Sequence, residues 1–211
     1  MTEDEARAWL AEQLAVPRET MDRLSRFIAL LRAEADKQNL IAASTFDSIW
    51  GRHIVDSAQL LPLAGRAAGS WLDLGSGAGF PGLVVALLGR CQVTLVESRR
   101  KRTDFLTEVV RELDVAGATV AASRVETLPP KKFDVISARA FAPLGRLLAL
   151  AHRFAGPDTI WLLPKGRSAA SELEAVRGSW QGMFRIEPSV TDPEAAIIVA
   201  TGVQPKPKGT A

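Results

Sequence analysis

WLDLGSGAGFPG, residues 71–82, is the stretch whose reading decides the fold of this 211-residue chain. Trp71, Leu72 and Leu74 are apolar enough for a short buried strand, and Gly75, Gly77 and Gly79 let the backbone turn tightly and approach a ligand without a Cβ in the way. Pro81 suits the first position of a helix. The amides of such a helix start favour a negative group, and a glycine-rich strand-to-helix turn in an α/β sheet is where a nucleotide-like cofactor binds. Gly77, Gly79 and Gly82 also satisfy the dinucleotide fingerprint G-x-G-x-x-G. Asp73 separates the two cofactor classes. Two positions before Gly75, its carboxylate is expected to face the crevice, where it repels a pyrophosphate and attracts the sulfonium and ammonium of S-adenosylmethionine. The pattern D-x-G-x-G-x-G therefore favours S-adenosylmethionine over NAD; a tight turn with no ligand is the plain alternative.

Upstream, residues 1–65 read as helices that form an extension packed on the core. Thr2 and Glu5 suit a capping box, and Pro17 stops the first helix. A second helix puts Met21, Leu24, Phe27, Ile28 and Leu31 on one face, and a third, after Ser44 and Thr45, presents Phe46, Ile49, Trp50, His53 and Ile54. Residues 65–70 form the loop into the central strand. Downstream, residues 66–205 alternate in the βαβ manner. Strands are expected at 92–97, 118–123, 133–141 and 159–166, helices at 81–88, 99–113, 143–154 and through Trp180, and an antiparallel hairpin at 183–190 and 195–203 closes the sheet. The tail 206–211 is expected to fray.

With 47% hydrophobic residues the chain has ample material for a core. A single cysteine excludes an internal disulfide, and two histidines without zinc-ligand spacing give no metal site. The acidic start MTEDEARAWL is no signal peptide and no apolar run is long enough for a bilayer, so a cytoplasmic protein is expected. No heptad seam argues for more than a monomer. Net charge is only +2, with a pI near 8.9, so any nucleic-acid contact must come from local clusters. The densest is Arg99, Arg100, Lys101 and Arg102 at a helix start, where positive charge opposes the dipole; RNA phosphates and solvated surface are its two explanations. Arg52, His53, Lys165 and Arg167 extend that patch if the helical extension folds over the cofactor mouth. Glu97 ends the second strand twenty positions past Gly77, where such folds place the carboxylate that holds ribose hydroxyls.

Seven blocks in order carry a resemblance: QNLIAA at 38–43, RHIVDSA at 52–58, DLGSGAGFPG at 73–82, KRTDFL at 101–106, RVE at 124–126, ARAFA at 138–142 and KG at 165–166. From about residue 20 onward the chain resembles the RsmG (GidB) family of bacterial 16S rRNA guanine-N7 methyltransferases. The resemblance implies a Rossmann-like class I methyltransferase fold, α/β, with a seven-stranded mostly parallel sheet, an antiparallel last strand and an N-terminal helical extension. It implies a guanine of 16S rRNA as substrate, within a 30S particle, and cofactor contacts at Gly75, Phe80, Val125, Glu126 and Arg139, beside Asp73, Gly77 and Glu97 from the physical reading. Two departures stand near the site: Asn39-Leu40-Ile41 where the family commonly has N-L-T, and Ala138 where serine or threonine is common.

Guanine N7 carries an available lone pair, so attack on a sulfonium methyl needs no prior deprotonation and positioning carries the catalysis. The asparagine- or aspartate-proline-proline-aromatic motif of exocyclic-amine methylation is missing after the fourth strand; SARAFAP stands there instead. Arg139 is the candidate catalytic residue, donating to O6, to an RNA phosphate or to the cofactor, with an ion pair to Asp73, Glu97 or Glu126 as the alternative. Phe80 and Phe141 stack on a base or on adenine, or are core.

Overall fold

The computed structural model describes residues 1–65, 69–89 and 91–207. It opens with α1 (Glu3–Gln13) and α2 (Arg18–Ala35). The expected capping box starts the first: the Glu5 amide donates to Thr2 Oγ1 at 3.2 Å and the Thr2 amide to Glu5 Oε2 at 2.8 Å. Pro17 occupies the cap of α2, which buries Leu24, Phe27 and Leu31 at helical spacing. The third helix is not continuous. It breaks into a 3₁₀ turn (Ala43–Ser48), a π turn (Trp50–Val55) and the short α3 (Asp56–Ala58) and α4 (Leu60–Ala64). Through this wider turn Trp50, Ile54 and Val55 reach the core together, while Arg52, His53 and Asp56 stay towards the outside.

Then come β1 (Ser70–Leu74), α5 (Gly82–Leu88), β2 (Gln92–Glu97), α6 (Arg100–Glu112), β3 (Ala118–Ala122), β4 (Phe133–Ala138), α7 (Leu144–Ala151), β5 (Ala155–Lys165), α8 (Ala169–Val176), β6 (Trp180–Pro188) and β7 (Ala196–Pro205). The sheet order is β3-β2-β1-β4-β5-β7-β6; β1 to β5 run parallel and β7 is antiparallel to both its neighbours. Since β1 lies between β2 and β4, the connections leave in opposite directions beside it and open a crevice at the carboxyl ends of these strands.

Strand alternation sorts the core into two layers. Trp71 joins Leu24, Phe27, Trp50 and Leu83 in one cluster, so the helical extension and α5 share a single apolar layer. Leu72 and Leu74 join Ile136, Leu147, Trp161 and Ile198 in the other. Among the described residues no helix is long and apolar enough to cross a membrane, and no group of His, Cys, Asp and Glu could hold a metal ion.

Some boundaries move. The strand expected over 133–141 stops at Ala138, because the chain turns at Ala140 with φ of +50°. The helix expected through Trp180 ends at Val176; Trp180 instead opens β6 and meets His152 edge-on at 5.6 Å. Pro81 caps α5 rather than starting it. Of the 206–211 tail only Lys206 and Pro207 are described, and Lys206 is tied to the Ser179 carbonyl by its amide at 2.8 Å. Residues 66–68 of the expected 65–70 loop and residues 208–211 lie outside the described residues.

Candidate active site

The glycine turn closes over Asp73 instead of presenting it. Asp73 shares the face of Trp71, the face covered by α5, and is 0% exposed. Its Oδ1 accepts from Ser137 Oγ at 2.7 Å, Ser137 Oγ accepts from Trp71 Nε1 at 2.8 Å, and Oδ2 accepts from the Gly82 amide at 3.2 Å. Burial pushes the Asp73 carboxyl above the usual carboxylate range, opposed by the Ser137 and Gly82 bonds. A carboxylate facing the crevice is thus corrected to one that ties the turn to β4. A Cβ on Gly82 would stand 2.6 Å from Asp73 Cβ, which is why only glycine fits there.

Glu97 is similarly occupied. It is 6% exposed, with one oxygen accepting the Gly77 amide at 3.2 Å and the other the Ser98 and Arg99 amides at 2.7 and 2.8 Å. Arg102 Nη1 lies 3.8 Å away. A ribose hydroxyl at Glu97 has to share a carboxylate that already joins the turn to the start of α6.

Arg139 sits just past β4, its side chain 20% exposed, and its partner is none of the three acids the sequence suggested. Nη1 donates to Asp56 Oδ2 at 3.2 Å and to the Arg52 carbonyl at 3.3 Å; Nη2 lies 3.0 Å from His53 Nδ1. Arginine only donates, so Nδ1 accepts and the proton of neutral His53 is on Nε2, which faces Thr45 Oγ1 at 3.1 Å. Burial, then the charges of Arg139 and Arg52, push the His53 pKa down to about 3. One Nη2 proton and the Nε proton of Arg139 remain without a partner among the described residues. Beneath this cluster lies Phe80, 3% exposed, its ring stacked on His53 at 4.8 Å and covered by the Arg139 guanidinium at 5.1 Å. Of the two readings of Phe80, core rather than a stacking face for a base or adenine describes it: that ring is floor.

The His53 geometry fixes a pH dependence. The folded-state pKa lies below the ordinary 6.5, so between about 6.5 and 3 the unfolded chain binds the extra proton. The contribution of neutral His53 to stability is complete above the upper value and is lost as pH falls towards the lower. Denaturant midpoints at pH 7 and pH 4.5 should fall further for the natural protein than for His53→Gln, whose amide does not titrate.

Two cavities meet at Phe141. The smaller, about 320 Å³, is walled by Gly75, Val96, Ser123, Val125, Glu126 and Phe141; the larger, about 860 Å³, by Arg52, His53, Asp56, Arg139, Phe141 and Lys165 among others. Gly75 has φ of +71°, and a Cβ there would lie 2.5 Å from the Phe141 ring. The smaller cavity has apolar walls at Val96 and Val125 and Glu126 at the rim, groups of the kind that a nucleoside such as that of S-adenosylmethionine needs, with the Phe141 ring seated over Gly75.

The basic run is divided. Arg99 and Lys101 are exposed, Arg100 lies 3.8 Å from Asp104, and Arg102, 25% exposed, turns inward to Glu97. Arg52 is exposed at the larger cavity. Lys165 is not free for a phosphate: it donates to Glu172 Oε2 at 2.8 Å and to the Ala142 carbonyl at 3.2 Å. Burial raises the Glu172 pKa, but Lys165, Ser168 and the Leu144 amide outweigh it and hold the group below its usual range. The residues missed at the sequence level are Asp56, Thr45, Ser137 and Gln59. The last ties the extension to the β6–β7 loop, accepting the Val190 amide at 2.9 Å. RHIVDSA places Arg52 one helical turn before Asp56, yet the arginine that Asp56 meets is Arg139, far away in the sequence.

The sheet order, the glycine turn and the crevice at the β1 and β4 carboxyl ends define the class I methyltransferase architecture. The family described as rRNA small subunit methyltransferase G, GidB, matches residues 20–192, and the chain belongs to this family. A ribosomal RNA small subunit methyltransferase G from Rhizorhabdus wittichii is 63% identical over 99% of this chain and 97% of its own length. One of the same name from Zymomonas mobilis is 53% identical over 100% and 98%. Among solved structures, a SAM-dependent methyltransferase from Aquifex aeolicus superposes with a TM-score of 0.57 at 16% identity, covering 73% of this chain and 92% of that one. The glycopeptide N-methyltransferase MtfA, complexed with S-adenosylmethionine, gives 0.57 at 13%, covering 71% and 93%. At these identities the two structures speak to the fold alone.

Proposed function

We propose that this chain transfers a methyl group from S-adenosylmethionine to N7 of a guanine in 16S rRNA, presented by a 30S particle, and that it works in the cytoplasm as a monomer. The observation that carries this reading is the meeting of the two cavities at Phe141, with Arg139 lining the larger of them, in a chain of the methyltransferase G family. In this reading Gly75, Val125 and Glu126 hold the cofactor, Gly77 and Glu97 shape the turn above it, and residues 1–65 form one wall of the RNA cavity.

S-adenosylmethionine, when bound, supplies an electrophilic methyl on a sulfonium sulfur. The chain's own task is to aim guanine N7 at it. Arg139 keeps two donors for O6 of the base or for a phosphate, and Phe141, half-buried between the cavities, offers a ring face to the purine. Methylation leaves positive charge on the purine. Asp56 offsets the Arg139 charge and His53 is neutral, which limits the repulsion that developing charge meets. Arg52 at the larger cavity and Arg99, Arg100 and Lys101 at the exposed start of α6 hold RNA phosphates, while Lys165 and Arg102 are tied to Glu172 and Glu97.

The test uses 30S particles from a methylation-deficient strain and S-adenosylmethionine labelled in its methyl group. Label should enter 16S rRNA at one guanine, and that position should become sensitive to the strand cleavage that borohydride and aniline produce at 7-methylguanine. Label confined to small metabolites, or on an exocyclic nitrogen, would overturn the proposal.

A further inference from the structure

We propose that Arg153 is the positioning residue that sets the adenine edge of the smaller cavity, an inference that rests on reading that cavity as the S-adenosylmethionine site. Arg153 lies in the 3₁₀ turn His152–Phe154 that follows α7. Its Nη2 donates to three carbonyl oxygens: Val125 at 2.8 Å, Glu126 at 3.1 Å and Leu128 at 2.7 Å. Val125 and Glu126 wall the cavity, and they belong to a single 3₁₀ turn, Val125–Thr127, with no helix of its own to hold it. Within the turn the Thr127 amide and Thr127 Oγ1 both donate to the Arg124 carbonyl at 3.1 Å and the Leu128 amide to the Val125 carbonyl at 3.3 Å, so the Glu126 and Leu128 carbonyls are left for an outside donor; Pro129 and Pro130 bring no further amides. One guanidinium nitrogen thus gathers most of the acceptors of the segment.

The placement of Arg153 is unusual for its charge. A partly buried guanidinium ordinarily faces a carboxylate, yet none pairs with Arg153 among the described residues. Its Nε is buried without a partner. Its guanidinium carbon stacks 4.6 Å above the ring of Phe154, itself 0% exposed, so the fork is held from below by the core. From the other side Lys132 Nζ donates to the Arg153 and Ala155 carbonyls at 2.9 and 2.8 Å, fixing the backbone from which the side chain springs. Charge-assisted bonds to carbonyls are stronger than neutral ones, and the two Nη2 protons, one of them shared between two of the three carbonyls, define where the Val125 side chain and the Glu126 carboxylate stand. Arg153 touches no substrate atom; it acts through those two residues.

Arg153→Met keeps much of the stem and removes the donors. Steady-state kinetics on 30S particles should show the KM for S-adenosylmethionine raised about ten-fold, equal to ~1.4 kcal/mol, with kcat at saturating cofactor and the KM for the particle nearly unchanged. Calorimetric titration with S-adenosylhomocysteine should give the same loss in Kd, and amide exchange over residues 125–128 should accelerate. A folded Arg153→Met that loses melting temperature but binds S-adenosylhomocysteine as tightly as the natural protein overturns the role of Arg153. A natural protein that binds none overturns the reading of the cavity, and this inference with it. Should the methionine variant not fold, Arg153→Lys, with charge but no fork, is read by the same two constants.

Discussion

Arg139→Ala is expected to lower kcat for 16S rRNA methylation by about a hundred-fold, the scale of removing one preorganised donor from an active site. Arg139 lines the larger cavity together with Phe141, where that cavity meets the smaller one, and two of its N–H groups have no partner among the described residues. Its loss from the fold costs less. Asp56 and His53 lose a donor, but the Arg139 and Asp56 side chains are 20% and 16% exposed and border the larger cavity, from which water can replace the bond. A stability loss of about 1 kcal/mol follows. Arg139→Lys should recover only part of the rate, since an ammonium cannot span Asp56, His53 and a ligand as the planar fork does. A kcat within a few-fold of the natural enzyme, at matched folded fraction, would reduce Arg139 to a strut between β4 and the helical extension.

Asp73→Ala should act on the fold first. It leaves two buried donors, Ser137 Oγ and the Gly82 amide, without their acceptor. At ~1–3 kcal/mol for each orphaned group, the loss is about 2–6 kcal/mol, a large share of the 5–15 kcal/mol by which a domain is typically stable. Asp73→Asn retains one acceptor and should lose roughly half as much. Denaturant midpoints measure both, and cofactor affinity should decline in the same order because Gly82 and the turn loosen together. Attraction of a sulfonium by the Asp73 charge requires a different pattern: Asp73→Asn would lose affinity while keeping its midpoint.

The contrast between Asp73 and Glu97 shows what the sequence carried. The strand, the glycine turn and α5 were legible because apolar alternation, positive-φ glycines and a helix start are local signals. The family resemblance then brought in Val125, Glu126 and Arg139. Asp73 was legible as important and misread in direction: its alternation with Trp71, two residues earlier, places it under α5. Asp56 was out of reach, because the bond to Arg139 joins residues 83 apart and depends on a π turn that no periodicity announces. Lys165 and Arg102, which the sequence offered as RNA contacts, pair with Glu172 and Glu97. A basic residue in one dimension carries no sign of its partner.

The cofactor position can be measured directly in a crystal structure with S-adenosylhomocysteine bound. Its adenine should lie in the smaller cavity against Val125 and beside Glu126, and its amino-acid arm should cross Gly75, with the Phe141 ring displaced from the place it now occupies there. Density for the ligand in the larger cavity, with Phe141 still seated on Gly75, would contradict the division of the crevice into a methyl-donor chamber and an RNA chamber.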